Sequence, residues 1–155
     1  MKYIVVSVSN DLATDQRVHR VCTTLTDMHY NVFLIGRKLS DSLPIHRDYK
    51  TYRIKLLFNK GLLFYVEYNI RLFFKIIFIK KDILYSNDLD TILPNFLISK
   101  LFNKKLIFDS HELFPEIPEL INRPKTKSVW KFIEKVTIPN LKNAITVSKS
   151  IVEYY

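Results

Sequence analysis

Six short apolar runs rich in β-branched residues punctuate this chain, and most are separated by segments whose apolar residues recur at helical spacing. That alternation constrains the fold more than any other feature. The runs are Lys2–Val8, Asn31–Ile35, Thr51–Leu57, Asp82–Tyr85, Lys105–Phe108 and Ala144–Val147. After the first comes a polar loop, Ser9–Asp15, and then a helix with Val18, Val21, Cys22, Leu25 and Met28 on one face. Further helices are predicted over Lys60–Lys81, Asp90–Asn103 and Thr126–Ile138, and another opens at Ser148. Asp90 suits the N-cap of its helix, which puts Pro94 in the first turn, where a missing N–H does no harm. Residues 37–50 are polar and read as loop. The pattern predicts an α/β fold: a Rossmann-like, doubly wound parallel sheet with helices on both faces.

A chain of 155 residues is one domain's worth, and 1–155 reads as a single unit. With 48% hydrophobic residues it is neither disordered nor a disulfide scaffold. Cys22 stands alone, which forbids an intrachain disulfide and fits a reducing cytoplasm. The opening apolar stretch runs straight into Asn10-Asp11, so no secretory signal is expected. The net charge of +9 suits nucleic acid, an anionic membrane or a phosphorylated ligand. The lysines are scattered, however, and their company of Ile, Phe, Tyr and Asn is a mixture that codon bias alone can produce. No zinc-finger, helix-turn-helix or aromatic–basic signature supports nucleic acid, so none is expected as a partner.

Ligands in such sheets bind at the carboxyl ends of strands, near the point where strand order reverses. The loops there carry Asn10 and Asp11, Asn87 and Asp88, Asp109, Ser110, His111 and Glu112, and Ser148. Glycine occurs only at 36 and 61, so the first loop cannot cradle a pyrophosphate as a G-x-G-x-x-G loop does, and NAD or flavin is disfavoured. Arg17, His19 and Arg20 lie near the start of the first helix, where cations oppose the dipole. They either pair with Asp11, Asp15 or Glu116 or await an anionic ligand. The Asp109–Glu112 turn is either a capped turn or a site where a neutral His111 donates to a sugar hydroxyl or a developing negative charge. Asn87 and Asp88 either bind hydroxyls or start the next helix. No second histidine lies three to five residues from His111, so zinc is not expected there. The helix over 60–81 is apolar almost all round and ends in lysines, which suits either deep burial or a partner or lipid surface.

Four strings carry a family resemblance: Asp15-Gln16-Arg17-Val18, Ser86-Asn87-Asp88-Leu89-Asp90-Thr91-Ile92-Leu93-Pro94, Phe108-Asp109-Ser110-His111-Glu112 and Ile145-Thr146-Val147-Ser148. Together they resemble the amino-terminal, acceptor-side domain of family 4 glycosyltransferases, particularly bacterial members of cell-surface polysaccharide pathways. The resemblance implies the amino-terminal half of a GT-B fold, which transfers sugar from a nucleotide sugar to a glycan or lipid-linked glycan with retention and without a metal. It implies that His111 contacts the transferred sugar. Asn10, Asp11, Arg17, Asn87, Asp88, Asp109, Ser110, Glu112 and Ser148 become candidate substrate contacts. The donor-binding half with its E-x7-E pair is not among these 155 residues, so the chain alone is expected to be inactive. The expected location is cytoplasmic, peripheral on the inner face of the membrane. Two rivals are a GT-B nucleotide-sugar 2-epimerase and a non-catalytic membrane-docking or basic binding module.

Overall fold

The computed structural model describes residues 1–154, the side chain of Glu119 excepted. Strands β1 (Tyr3–Asp11), β2 (Asn31–Lys38), β3 (Lys50–Lys55), β4 (Ile83–Asn87), β5 (Lys105–Ser110) and β6 (Ala144–Thr146) form one sheet in the order β3-β2-β1-β4-β5-β6. Every pairing is parallel. Helices α1 (Gln16–Asp27), α2 (Gly61–Ile77), α3 (Ile92–Leu101), α4 (Pro124–Thr137) and α5 (Lys149–Tyr154) complete the Rossmann-like architecture.

Strand β1 shows why the sheet must be covered twice. Its side chains alternate between faces. Ile4, Val6 and Val8 pack with Val18 and Cys22 of α1. Val5 points the other way, into a larger core with Tyr68, Leu72 and Ile76 of α2, Ile98 of α3 and Trp130 of α4. A strand buried on both faces reads as a continuous apolar run, as Ile4–Val8 nearly does. Its polar member, Ser7, is fully buried and donates to Asn95 Oδ1 at 3.4 Å.

Several boundaries differ from expectation, each for a tertiary reason. Strand β1 continues through Ser9-Asn10-Asp11, with an irregularity in its pairing to β2 between Ser7 and Asp11. Gly36, just past the predicted run Asn31–Ile35, lies inside β2. A Cβ there would sit 2.8 Å from Leu12 Cγ and 2.9 Å from the Asn10 carbonyl oxygen. The missing side chain thus admits the bulged end of β1. Helix α2 stops at Ile77, four residues before Lys81, because the Lys81 ammonium donates to the carbonyls of Ile76 (2.9 Å), Ile77 (2.9 Å) and Ile79 (3.1 Å). These are carbonyls that the end of a helix leaves unsatisfied.

Helix α2 is neither wholly buried nor wholly free. Phe64, Tyr68, Leu72 and Ile76, four residues apart, face the core. Leu63, Val66, Ile70 and Phe74 face outward, and Phe78 just beyond the helix is 85% exposed. Between α2 and α3 an apolar groove of about 200 Å³ is lined by Ile70, Phe73, Phe74, Leu93, Pro94 and Leu97. No helix among the described residues is long and apolar enough to cross a membrane.

Candidate functional site

Strand order reverses between β1 and β4, and their carboxyl ends part there to leave a crevice. Two adjoining cavities occupy it, of about 570 and 500 Å³. Asn10, Arg37, Asp88 and Glu112 line both. The first also reaches Arg17 and His111, and the second Lys60, Asp90 and Arg123. Another cavity, of about 450 Å³, lies by Tyr3, Asn31 and Lys50 at the amino ends of the strands, away from this cluster.

His111 follows β5 and is gripped from two strands. Its Nε2 lies 2.9 Å from Asp109 Oδ1 on β5. Its Nδ1 lies 3.1 Å from both oxygens of Asp88, just past β4, and its backbone N–H donates to Asp88 Oδ1 at 2.9 Å. Burial disfavours the charged ring, but the hydrogen bonds to Asp109 and Asp88 outweigh it and push the pKa up to about 9. His111 is therefore an imidazolium at neutral pH, with both ring nitrogens donating to carboxylates. This corrects the expectation of a neutral donor: a carboxylate on each side favours the charged form.

The carboxylates are held in turn. Asp109 Oδ2 accepts from the Tyr85 hydroxyl at 2.7 Å. Burial raises the Asp109 pKa, yet the bonds from His111 and Tyr85 leave it below its usual value. Asp88 Oδ2 also faces Arg17 Nη2 at 3.7 Å. Asp88 has φ 58° and ψ 169°, a region that is almost glycine's alone and costs about 1–3 kcal/mol. The bonds to His111, and the Asp88 N–H donated to the Asp109 carbonyl at 2.9 Å, hold it there.

The first loop folds on itself. Asp11 Oδ1 accepts from the Ala13 N–H at 3.0 Å and lies 3.8 Å from Arg53, while its Oδ2 accepts from Ser42 Oγ. Asp15 caps α1 by accepting from the Val18 N–H at 3.0 Å, and Asn10 Nδ2 donates to it at 3.0 Å. The helix N-terminus, where Rossmann-like sheets commonly seat a phosphate, is thus occupied by the chain's own carboxylate.

The crevice gathers Asn10, Asp11, Arg17, Asp88, His111 and Glu112. Asn87 and Asp109 stand behind it, buried. Asn87 Nδ2 donates to the Ser7 carbonyl at 2.9 Å, and its buried Oδ1 has no partner. Ser110 is 1% exposed and donates to the Glu112 carbonyl at 3.1 Å. Ser148 is not brought in: it lines neither cavity and accepts from the Ile151 N–H at the start of α5. Asp90 is not an N-cap. It lies in a 3-10 turn, Leu89–Thr91, ahead of α3, and its carboxylate accepts from Ser9 Oγ. Burial raises its pKa to about 7 against the Ser9 hydrogen bond. Arg37, in the polar stretch read as loop, is the residue that sequence reasoning missed. Its one signal is its place beside Gly36, where β1 crowds β2. No group of three or more His, Cys, Asp or Glu side chains among the described residues is arranged to hold a metal.

No protein-family model matches the chain, and no curated protein matches it. Solved structures do. Sucrose-phosphate synthase from Thermosynechococcus elongatus superposes with a TM-score of 0.77 at 14% identity, covering 99% of this chain and 44% of that one. The fold is that of one half of a GT-B glycosyltransferase. SsfS6, a glycosyltransferase of Streptomyces sp. SF2575, aligns with a TM-score of 0.54 at 12% identity over 95% of this chain and 50% of its own. This GT-B half-fold thus spans about half the length of these enzymes.

Proposed function

We propose that this chain is the acceptor-binding half of a retaining glycosyltransferase, which moves a sugar from a nucleotide-sugar donor to a glycan or lipid-linked glycan. The observation that carries the reading is the crevice at the strand-order reversal, with His111 fixed on its wall in a glycosyltransferase fold. Charge developing on a leaving oxygen is stabilised by preorganised donors in a water-poor site, and an imidazolium is a strong one. Asp109 is the more deeply buried partner and is held by Tyr85. Asp88 is more exposed and lines both cavities. In this reading Nδ1 therefore exchanges Asp88 for the substrate while Nε2 stays on Asp109. Transfer needs no metal, as the family resemblance implies.

The outer row of α2 extends the reading. Leu62 and Lys60 line the second cavity, and Leu63, Val66, Ile70 and Phe74 continue outward from them. An apolar row on a chain of charge +9 suits an anionic lipid surface bearing a lipid-linked acceptor. The protein would then be peripheral on the cytoplasmic face.

The test is transfer by the intact protein from a panel of nucleotide sugars, with the product anomer determined. His111→Ala is expected to lower turnover roughly 10²–10³-fold while nucleotide-sugar binding persists. Conversion of the donor sugar with no acceptor present would instead establish the 2-epimerase. No reaction with any nucleotide sugar would remove both.

A further inference from the structure

Arg37 leaves the carboxyl end of β2 and lines both cavities of the crevice. Its guanidinium carbon lies 4.8 Å from the Phe64 ring centroid. Its Nε is buried without a hydrogen-bond partner. Among the described residues it makes no ion pair. A buried charged donor with no hydrogen bond is costly, so its Nε stands out beside Arg17, Asp11, Asp88 and His111, which are paired.

The surrounding acids do not supply the partner. Asp11 is spent on Ala13, Ser42 and Arg53, and Asp15 on Val18 and Asn10. Asp88 is spent on His111 and Arg17, while Asp90 bonds Ser9 and feels the Arg37 charge without forming an ion pair with it. Glu112 is also engaged. Lys60 and Arg123 line the second cavity from exposed positions and add positive charge. The first loop offers no backbone anion site, because it lacks glycine and Asp15 fills the start of α1. An anion entering the crevice is met by side-chain cations, with the uncapped start of α2 beside them at Gly61, and Arg37 is the pre-placed one.

We propose that Arg37, backed by Lys60 and Arg123, is the anchor for a phosphoryl group on the acceptor. A planar guanidinium held by an aromatic face suits two-pronged recognition of phosphate oxygens. The inference rests on the acceptor-site reading and deepens it: the acceptor is phosphorylated. The phosphate belongs either to a soluble sugar phosphate or to a lipid-borne diphosphate.

The test is titration of the protein with inorganic phosphate at fixed ionic strength, followed by ³¹P NMR. Arg37→Gln, Arg37→Lys and the remote, exposed Lys135→Gln are compared with wild type, and circular dichroism checks the fold of each. Wild type should bind saturably, Arg37→Gln about tenfold more weakly and Arg37→Lys less weakly than that, and Lys135→Gln like wild type. If Arg37→Gln does not fold, Arg37→Lys carries the test and must bind measurably more weakly. Unchanged binding in the Arg37 variants, equal loss in Lys135→Gln, or no saturable binding to wild type overturns the site. Displacement of phosphate by glucose 6-phosphate alone assigns a soluble acceptor, by farnesyl diphosphate alone a lipid-borne one; displacement by neither overturns the proposal. Transfer to phosphorylated acceptors undiminished in Arg37→Gln removes the phosphate anchor and leaves the transferase reading. Phosphate held through Arg37 in a protein that transfers no sugar does the reverse.

Discussion

At the scale of single residues, the charge on His111 couples the site to stability. Its pKa is raised from 6.5 to about 9 in the folded protein. The stabilisation is therefore complete below pH 6.5 and is lost as pH rises through 9. Asp90, raised to about 7 by burial, also favours the folded state less as pH rises, but its change is largely over by pH 7. The window from pH 7 to 9.5 thus isolates His111. Urea unfolding should show a loss on the order of 2 kcal/mol across that window. A flat profile would mean that the imidazolium is not formed. Asp109 works oppositely: its lowered pKa gives stability that disappears as pH falls into the acid range.

At the scale of elements, the seam between β1 and β2 positions the first loop. Gly36 lies under Leu12 and the Asn10 carbonyl. A flexible side chain such as Leu12 can move aside, but a backbone oxygen cannot without shifting the strand. Gly36→Ala is expected to cost about 1–3 kcal/mol, the usual range for overpacking a filled interior. The denaturation midpoint measures it, and an unchanged midpoint would show that the bulged end of β1 is not seated as described. Helix α2 makes a second lesson. Its apolar composition predicted either burial or a partner surface, and the fold uses both: one four-residue row inward, another outward. A helix on the face of a sheet has one side to bury, so apolar residues beyond that stripe are left on the surface.

At the scale of the whole molecule, that outward row and the net charge act together. Co-sedimentation should recover more protein on anionic than on neutral vesicles, by about 1 kcal/mol for each basic residue near the surface. The double variant Ile70→Ser, Phe74→Ser should reduce binding to anionic vesicles without changing the melting temperature much, since both side chains are already exposed. Equal recovery on both vesicle types, or none on either, would remove electrostatic docking from the proposed function.

The alternation of β-branched runs with helical periodicity was enough for the parallel sheet, because side-chain spacing along the chain is a local property. It was also enough to gather Asn10, Asp88, His111 and Glu112 at one crevice, since parallel strands all end on the same side. The glycine-free first loop could be read directly. What a charged residue does there could not. Asp88 and His111 are 23 residues apart, and the proton on His111 depends on 3 Å distances set by neighbouring strands. Asp90 looked like a cap and became a buried acid because Ser9, 81 residues away, faces it. Arg37 looked like loop because nothing local shows that its strand continues beside β1. Electrostatic state depends on burial and on partners distant in sequence, and only the tertiary structure supplies both.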